Sequence, residues 1–591
     1  MNKKNQTLKD IFVEALSNYK KENLKKTELL CYKILSIDPS HVDSIALLAA
    51  VFAMNKNFVK AKEFTLKGLE IKPENISFLV NLGTTYRELG DFKEAISTYK
   101  KVLKKDPKHT NANYNLGLVY HILRELETAK KYLLRTVEIQ KNYAMAFFSL
   151  ANVHVDLKEY KQALSCYMTA IEQNPNIVSA HNNLGLLYRD LNDFENAISC
   201  YKKALSIKSD HANSHHNLAL AYKELGEFEK SSKSHQMAIK SEPENLMNYH
   251  FLSELKEEIL DLSLKSKIEK ILSKDNHNLV NLAYGNYLLA KYERKMKNYQ
   301  KELNYLIKGH DSFFKCHEKK LSLNNKYCFD DVNQLSEGAH IEESEKKENY
   351  DVKPIFLIGV PRSGSTLVER IIGSGENIIP IGEETGVMGH FVRTKVMEKQ
   401  SLNLGTFQEV RKELYDTYKE KGLISEKYDY KFTDKSLDNF FYINLIKEIY
   451  PKAKIINCKR DVLSSIVSIF QNNLIALGWT HHLDNIFKYF NNYFKIIKSF
   501  NEKNPNVIYE VEYEKLVKDP EIESKKMMKF CELPWNKKCL QFYKRKELFS
   551  KTASNIQIRE AIYKGSINKY LPYKKLLDKY GNKYSWFNLK Q

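Results

Sequence analysis

No stretch of this chain approaches 18 consecutive apolar residues, so the sequence offers no membrane-spanning helix. The opening residues, MNKKNQTLKDIFVEAL, carry lysines but no continuous apolar run, and a secretory leader is not expected. Eight cysteines, at 31, 166, 200, 316, 328, 458, 531 and 539, show neither C-x-x-C pairs nor Cys/His ligand spacing. They read as reduced thiols or small core residues, with no zinc site and no disulfide framework. No nucleic-acid motif is evident. The formal charge of +20 suggests an anionic cofactor or acidic partners. The expectation is a cytoplasmic protein without metal, nucleic acid or an integral membrane segment.

What is present is a long globular chain. With 43% hydrophobic and 12% aromatic residues over 591 positions, it should hold more than one domain. Pro39, Pro73, Pro107, Pro175 and Pro243 sit on one 34-residue ladder whose missing rungs are Lys141 and Ser209. Small residues recur in phase at Ala49, Gly83, Gly117, Ala151, Gly185 and Ala219, and again at Ala61, Ala95, Ala129, Ala163, Ala197 and Ser231. Aromatics fill Tyr86, Tyr120, Tyr188 and Tyr222, and a further series runs Tyr99, Leu133, Tyr167 and Tyr201. Several position classes keeping one phase mark a helix–turn–helix repeat, with small residues where paired helices touch. Two residues before the first small series stand Asn81, Asn115, Asn183 and Asn217, with Ser149 interrupting. A row of carboxamides along a concave groove suits an extended peptide backbone.

A second pattern begins at Pro354–Gly375, PIFLIGVPRSGSTLVERIIGSG. The run from Ile355 to Val360 reads as a buried strand, Pro361–Thr366 as a turn, and Leu367–Ile372 as a helix. Strand, small-residue turn and helix N-terminus form an anion cradle, to which Arg362, Ser363, Gly364, Ser365 and Thr366 add donors or room. The spacing approaches the P-loop G-x-x-x-x-G-K-[ST], but Ser365 stands where Lys is required. An ordinary ATPase, GTPase or kinase is therefore disfavoured. Further on, Lys454–Cys458 reads as a strand, and Val462–Phe470 as a helix. Arg460 at the strand's end and Ser468 two helical turns later can converge on a second phosphate.

The first half resembles tetratricopeptide repeats, about seven units between Leu8 and Glu244. The second half, roughly Pro354–Tyr580, resembles the protein-tyrosine sulfotransferases and bacterial proteins that fuse such repeats to a sulfotransferase domain. The resemblance implies 3′-phosphoadenosine 5′-phosphosulfate (PAPS) as sulfuryl donor, with the Arg362–Thr366 loop on its 5′ end and Arg460 and Ser468 on its 3′-phosphate. It implies Glu383, in the G-E-E-T motif, as base, with Ile378–Thr385 expected as a strand and a Gly turn. It implies Lys435 as a catalytic cation, although Leu437 stands where the family commonly has Pro. Tyr513 would pack near the base of the cofactor. Ser554, Gln557, Arg559 and Lys569 would close over the nucleotide, with Ser554 on the leaving phosphate and Tyr570 in place of the usual Trp. His481 and His482 read as surface or groove residues.

The expected fold is an α-solenoid followed by a P-loop-like α/β domain with a mostly parallel sheet. Repeats occupy 1–247, a helical extension with one degenerate repeat 248–336, a linker 337–353 and the α/β domain 354–591. The acceptor hydroxyl expected first is that of a protein tyrosine fed by the groove; a saccharide or lipid hydroxyl is the alternative. A repeat scaffold that turns over nothing is the reading from another class.

Overall fold

The computed structural model describes residues 3–274, 278–332, 340–342, 352–375, 379–399, 402–545, 555–562 and 570–588. Packing divides the chain into two units, Met1–Asn217 and Leu218–Gln591.

The first unit is a tetratricopeptide solenoid of antiparallel helix pairs, from Lys3–Lys20 with Leu24–Ile37 to Val178–Asp190 with Phe194–Ile207. The small-residue rungs explain its pairing. A Cβ at Gly83 would lie 2.6 Å from the Tyr99 ring, one at Gly117 2.7 Å from Leu133, and one at Gly185 2.6 Å from Tyr201. Each first-series glycine is thus the seat of the large residue sixteen positions on, and Ala95, Ala129, Ala163 and Ala197 are fully buried beside them. The turn inside each pair carries one left-handed residue at a fixed phase: Glu22, Lys56, Gly90, Arg124, Lys158 and Asn192 all have φ between 56° and 83°. Side chains of Asn23, Asn57 and Asp193 cap the second helices by accepting from the backbone three residues on.

The second unit opens with the end of helix Ala212–Leu225 and with Phe228–Ser241. Helices Leu246–Leu255, Leu262–Leu272, Leu279–Lys295 and Tyr299–Cys316 follow. Strands are β1 (His340–Glu342), β2 (Lys353–Gly359), β3 (Asn403–Thr406), β4 (Lys431–Asp434), β5 (Lys454–Lys459) and β6 (Ile508–Glu512). The main sheet has the order β4-β2-β5-β6 and every pairing in it is parallel; β1 pairs with β3, also in parallel. β2 is central and buried along its length after Lys353, as a strand covered on both faces must be. One hydrophobic cluster runs from Leu246 in the helical extension to Phe587 near the C-terminus, so extension and sheet share a core.

Two expectations are corrected here. Ile379–Gly382 is not a strand; the segment is tied to β4 by the Thr433 N–H, which donates to the Pro380 carbonyl at 3.0 Å, and just beyond β4 it forms an isolated bridge between Glu383 and Lys435. His481 is not a surface residue. It is buried beneath helix Tyr299–Cys316, its Nδ1 3.0 Å from His310 Nδ1 and its ring stacked on Phe313. The covering helix lies some 170 positions upstream, beyond the reach of local pattern. His482 is half-buried against Phe314.

Candidate active site

At the end of β2 the chain must turn within a small space. A Cβ on Gly359 (φ +144°) would sit 2.7 Å from the Cys458 carbonyl of β5. Arg362 (φ +68°) and Gly364 (φ +89°) then bend the loop into the helix Ser365–Gly373. The Tyr513 ring lies against Gly364, where a Cβ would come within 2.3 Å of it. Only glycine combines that contact with that backbone angle. The loop therefore aims the backbone donors of a helix N-terminus into a cleft whose walls include Arg362, Thr366, Arg460, Ser468, Tyr513 and Gln557.

The two halves of the sequence pattern meet in this cleft. Arg362 Nε donates to Ser468 Oγ at 3.1 Å and its Nη2 to Gln557 Oε1 at 3.4 Å. Arg460 Nη1 donates to the Arg362 carbonyl at 3.1 Å, and its guanidinium stacks 4.9 Å from the Tyr513 ring centre. Ser363 Oγ is buried with no hydrogen-bond partner among the described residues.

Deeper in, the fully buried Lys435 follows the end of β4. Its ammonium contacts Glu383 Oε1 at 3.1 Å, Thr366 Oγ1 at 3.3 Å and Glu369 Oε2 at 3.6 Å. Burial works against the ammonium, but Glu369, Glu383 and Glu384 outweigh it and hold the lysine above its usual range. Of the paired glutamates only Glu383 makes this contact; Glu384 takes φ +50° and is exposed. Glu369 is the residue that sequence reasoning missed. Burial pushes its carboxyl up to about 7, against the pull of Lys435.

Arg559 reaches elsewhere. Its Nη2 donates to the Glu224 carbonyl at 2.9 Å, and its guanidinium occupies the space beside Gly226, 2.4 Å from where a Cβ would stand. Ser554 and Lys569 lie outside the described residues. In the first unit Asn217 and Asn183 are linked through Asn182. Asn217 donates to Asn182, Asn182 to Asn183, and Asn183 to Asn152, at 2.9, 3.2 and 3.0 Å. Asn115 accepts from Arg87, and Asn81 is exposed. Among the described residues no group of three or more His, Cys, Asp or Glu is placed to hold a metal ion, and no helix is long and apolar enough to cross a membrane.

Comparison with known proteins agrees with this architecture. Residues 354–537 match the sequence model of the Sulfotransferase family. Residues 83–123, 151–189 and 185–226 match the TPR repeat, and 110–143 and 212–245 the tetratricopeptide repeat. The chain thus joins tetratricopeptide repeats to a sulfotransferase-family domain in its C-terminal region. An uncharacterized protein of Aquifex aeolicus (strain VF5) is 29% identical over 311 residues, covering 50% of this chain and 40% of that protein. Protein-tyrosine sulfotransferase 1 of Danio rerio is 26% identical over 199 residues, covering 32% of this chain and 55% of that one. The chain therefore spans about half or less of these curated relatives' lengths. Among solved structures, MamA is 30% identical over 27% of this chain and 95% of that one, with a TM-score of 0.26. YrrB, described as a TPR protein with an unusual peptide-binding site, is 22% identical over 32% of this chain and 96% of that one, with a TM-score of 0.28.

Proposed function

We propose that the protein is a PAPS-dependent sulfotransferase whose acceptor is a tyrosine hydroxyl in a peptide or protein held by the repeats. The observation that carries this reading is the convergence of two phosphate-type donor sets on one cleft. One is the Arg362–Thr366 loop at a helix N-terminus; the other is Arg460 with Ser468. A nucleotide with phosphates at both 5′ and 3′ positions needs two such sets, and a nucleoside triphosphate does not. The buried Ser363 Oγ, without a partner among the described residues, fits a loop built to donate to an anion.

PAPS supplies the sulfuryl group, and the rest is the work of the chain. The loop's backbone N–H groups and Thr366 hold the 5′ end, Arg460 and Ser468 hold the 3′-phosphate, and Tyr513 walls the nucleoside. Glu383 takes the proton of the acceptor hydroxyl. The Lys435 ammonium, already desolvated and fixed, steadies negative charge that develops as the group moves. Positioning and preset electrostatics carry most of the acceleration, as in phosphoryl transfer. The tyrosine acceptor is supported by the named Danio rerio relative.

Calorimetric titration with PAP, the desulfated product, beside AMP and ATP tests the reading. PAP should bind far more tightly than either, and Arg460→Ala should weaken PAP by about 10- to 100-fold, the range for losing a charge-assisted hydrogen-bond pair. PAP binding no tighter than AMP would overturn the assignment. A screen of tyrosine peptides against saccharide and lipid hydroxyls then decides the acceptor.

A further inference from the structure

Glu369 has no role in the scheme above, yet it is wholly buried against its two central groups. It belongs to the helix that starts at the anion loop, one turn after Ser365. Its Oε1 accepts from Thr433 Oγ1 at 2.9 Å, and Thr433 Oγ1 accepts from the Gly382 N–H at 3.0 Å. Its Oε2 faces Lys435 Nζ at 3.6 Å and has no hydrogen-bond partner among the described residues. One carboxylate on the loop helix thus meets the strand end that presents Lys435 and, through Thr433, the turn that presents Glu383. A glutamine would fill the same volume and still satisfy Thr433. What only the carboxylate supplies is a negative charge beside the ammonium.

We infer that Glu369 is a positioning residue for the transfer step: its carboxylate holds the Lys435 ammonium between Thr366 and Glu383, and its charge strengthens Glu383 as a base. This rests on the roles given above to Glu383 and Lys435. The titratable and charged groups facing Glu369 are Lys435 beyond β4, Glu383 in the turn, Arg370 on its own helix and the buried Cys458 thiol on β5. Burial raises its carboxyl to about 7, with Lys435 and Arg370 pulling down and Glu383 pushing up. As pH rises through neutrality a second negative charge appears beside Glu383, so the rate should rise with it.

The test uses the full chain with Glu369→Gln and Glu369→Asp. Three quantities are read: PAP affinity, kcat/KM against pH with a tyrosine peptide, and the 13C-carboxyl titration of labelled glutamate. The expected result for Glu369→Gln is a PAP Kd within twofold of wild type, kcat/KM at pH 8 reduced at least tenfold, and loss of the rising limb near pH 7. Glu369→Asp should restore part of the rate and the limb. In the wild type one glutamate carboxyl should titrate near pH 7, and its signal should vanish in Glu369→Gln. That titration needs no turnover, so a protein without sulfuryl transfer would sink the functional reading while leaving this readout intact. The inference is overturned if Glu369→Gln keeps the wild-type pH profile, if it loses PAP binding in proportion to rate, or if no carboxyl titrates between pH 6 and 8.

Discussion

Lys435 and Glu383 are joined twice, by an ion pair of 3.1 Å between their side chains and by a lone parallel bridge between their backbones. The second link survives removal of the first. Lys435→Met should therefore leave Glu383 near its place and PAP binding within a few-fold of wild type. It should lower the single-turnover rate by about 10²- to 10³-fold, the usual effect of losing one preset charge at a reacting centre. Parallel loss of PAP affinity would mean that the lysine builds the nucleotide site instead.

Gly364→Ala tests the loop's geometry. The added methyl would meet the Tyr513 ring at 2.3 Å while φ is held at +89°. PAP binding should fall more than tenfold, because both the loop and the aromatic wall must shift. Circular dichroism should show the fold retained. Unchanged affinity would show that the loop does not set the site.

In the first unit, Gly185→Val should be costly because its side chain claims the volume of Tyr201. Overpacking of this kind costs about 1–3 kcal/mol, and the melting temperature of the full chain should drop by several degrees. A Lys202→Val change at a neighbouring exposed position should not matter.

The buried pair His310 and His481 makes stability depend on acid. Burial lowers His310 to about 4 and His481 to about 2, while the unfolded chain protonates both near the ordinary 6.5. The unfolded state thus binds more protons below that value. Their contribution is complete above pH 6.5 and is lost as pH falls, for His310 toward 4 and for His481 further down still. For His310 alone the full shift is worth about 3 kcal/mol. His310→Gln can still donate to the Phe470 carbonyl, which His310 Nε2 meets at 2.7 Å. Melting temperatures between pH 7 and 4 should fall less steeply in that variant. An equal slope would refute the assignment.

The residues legible in the sequence were those whose chemistry is local or periodic. The anion loop, and Arg460 with Ser468 eight positions later, could be placed because strand, turn and helix follow one another directly. The repeats declared themselves through phase, down to the glycines that seat Tyr99 and Tyr201. Glu369 was hidden because L-V-E-R-I-I reads as an ordinary amphipathic turn, and its partners Thr433 and Lys435 arrive more than sixty residues later. His481 was misread because the helix that buries it belongs to the extension. The left-handed turn positions had a signal that composition concealed. Their phase is perfect, but Glu, Lys, Arg and Asn occupy most of them and glycine only a few.

Gly226 keeps that phase in the turn after helix Ala212–Leu225, with φ +79°, and the Arg559 guanidinium closes over it. Repeat arrays in general can gain or shed whole units, since each depends only on its neighbours. That freedom stops here. The segment 555–562, which lines the cleft through Gln557 and Ile558, also grips the Glu224 carbonyl through Asn555 and Arg559. Units before Asn217 can vary in number without touching this grip, whereas the turn at Gly226 must be inherited together with the sheet and its cleft. Copy number is an adjustable property of one end of the array only.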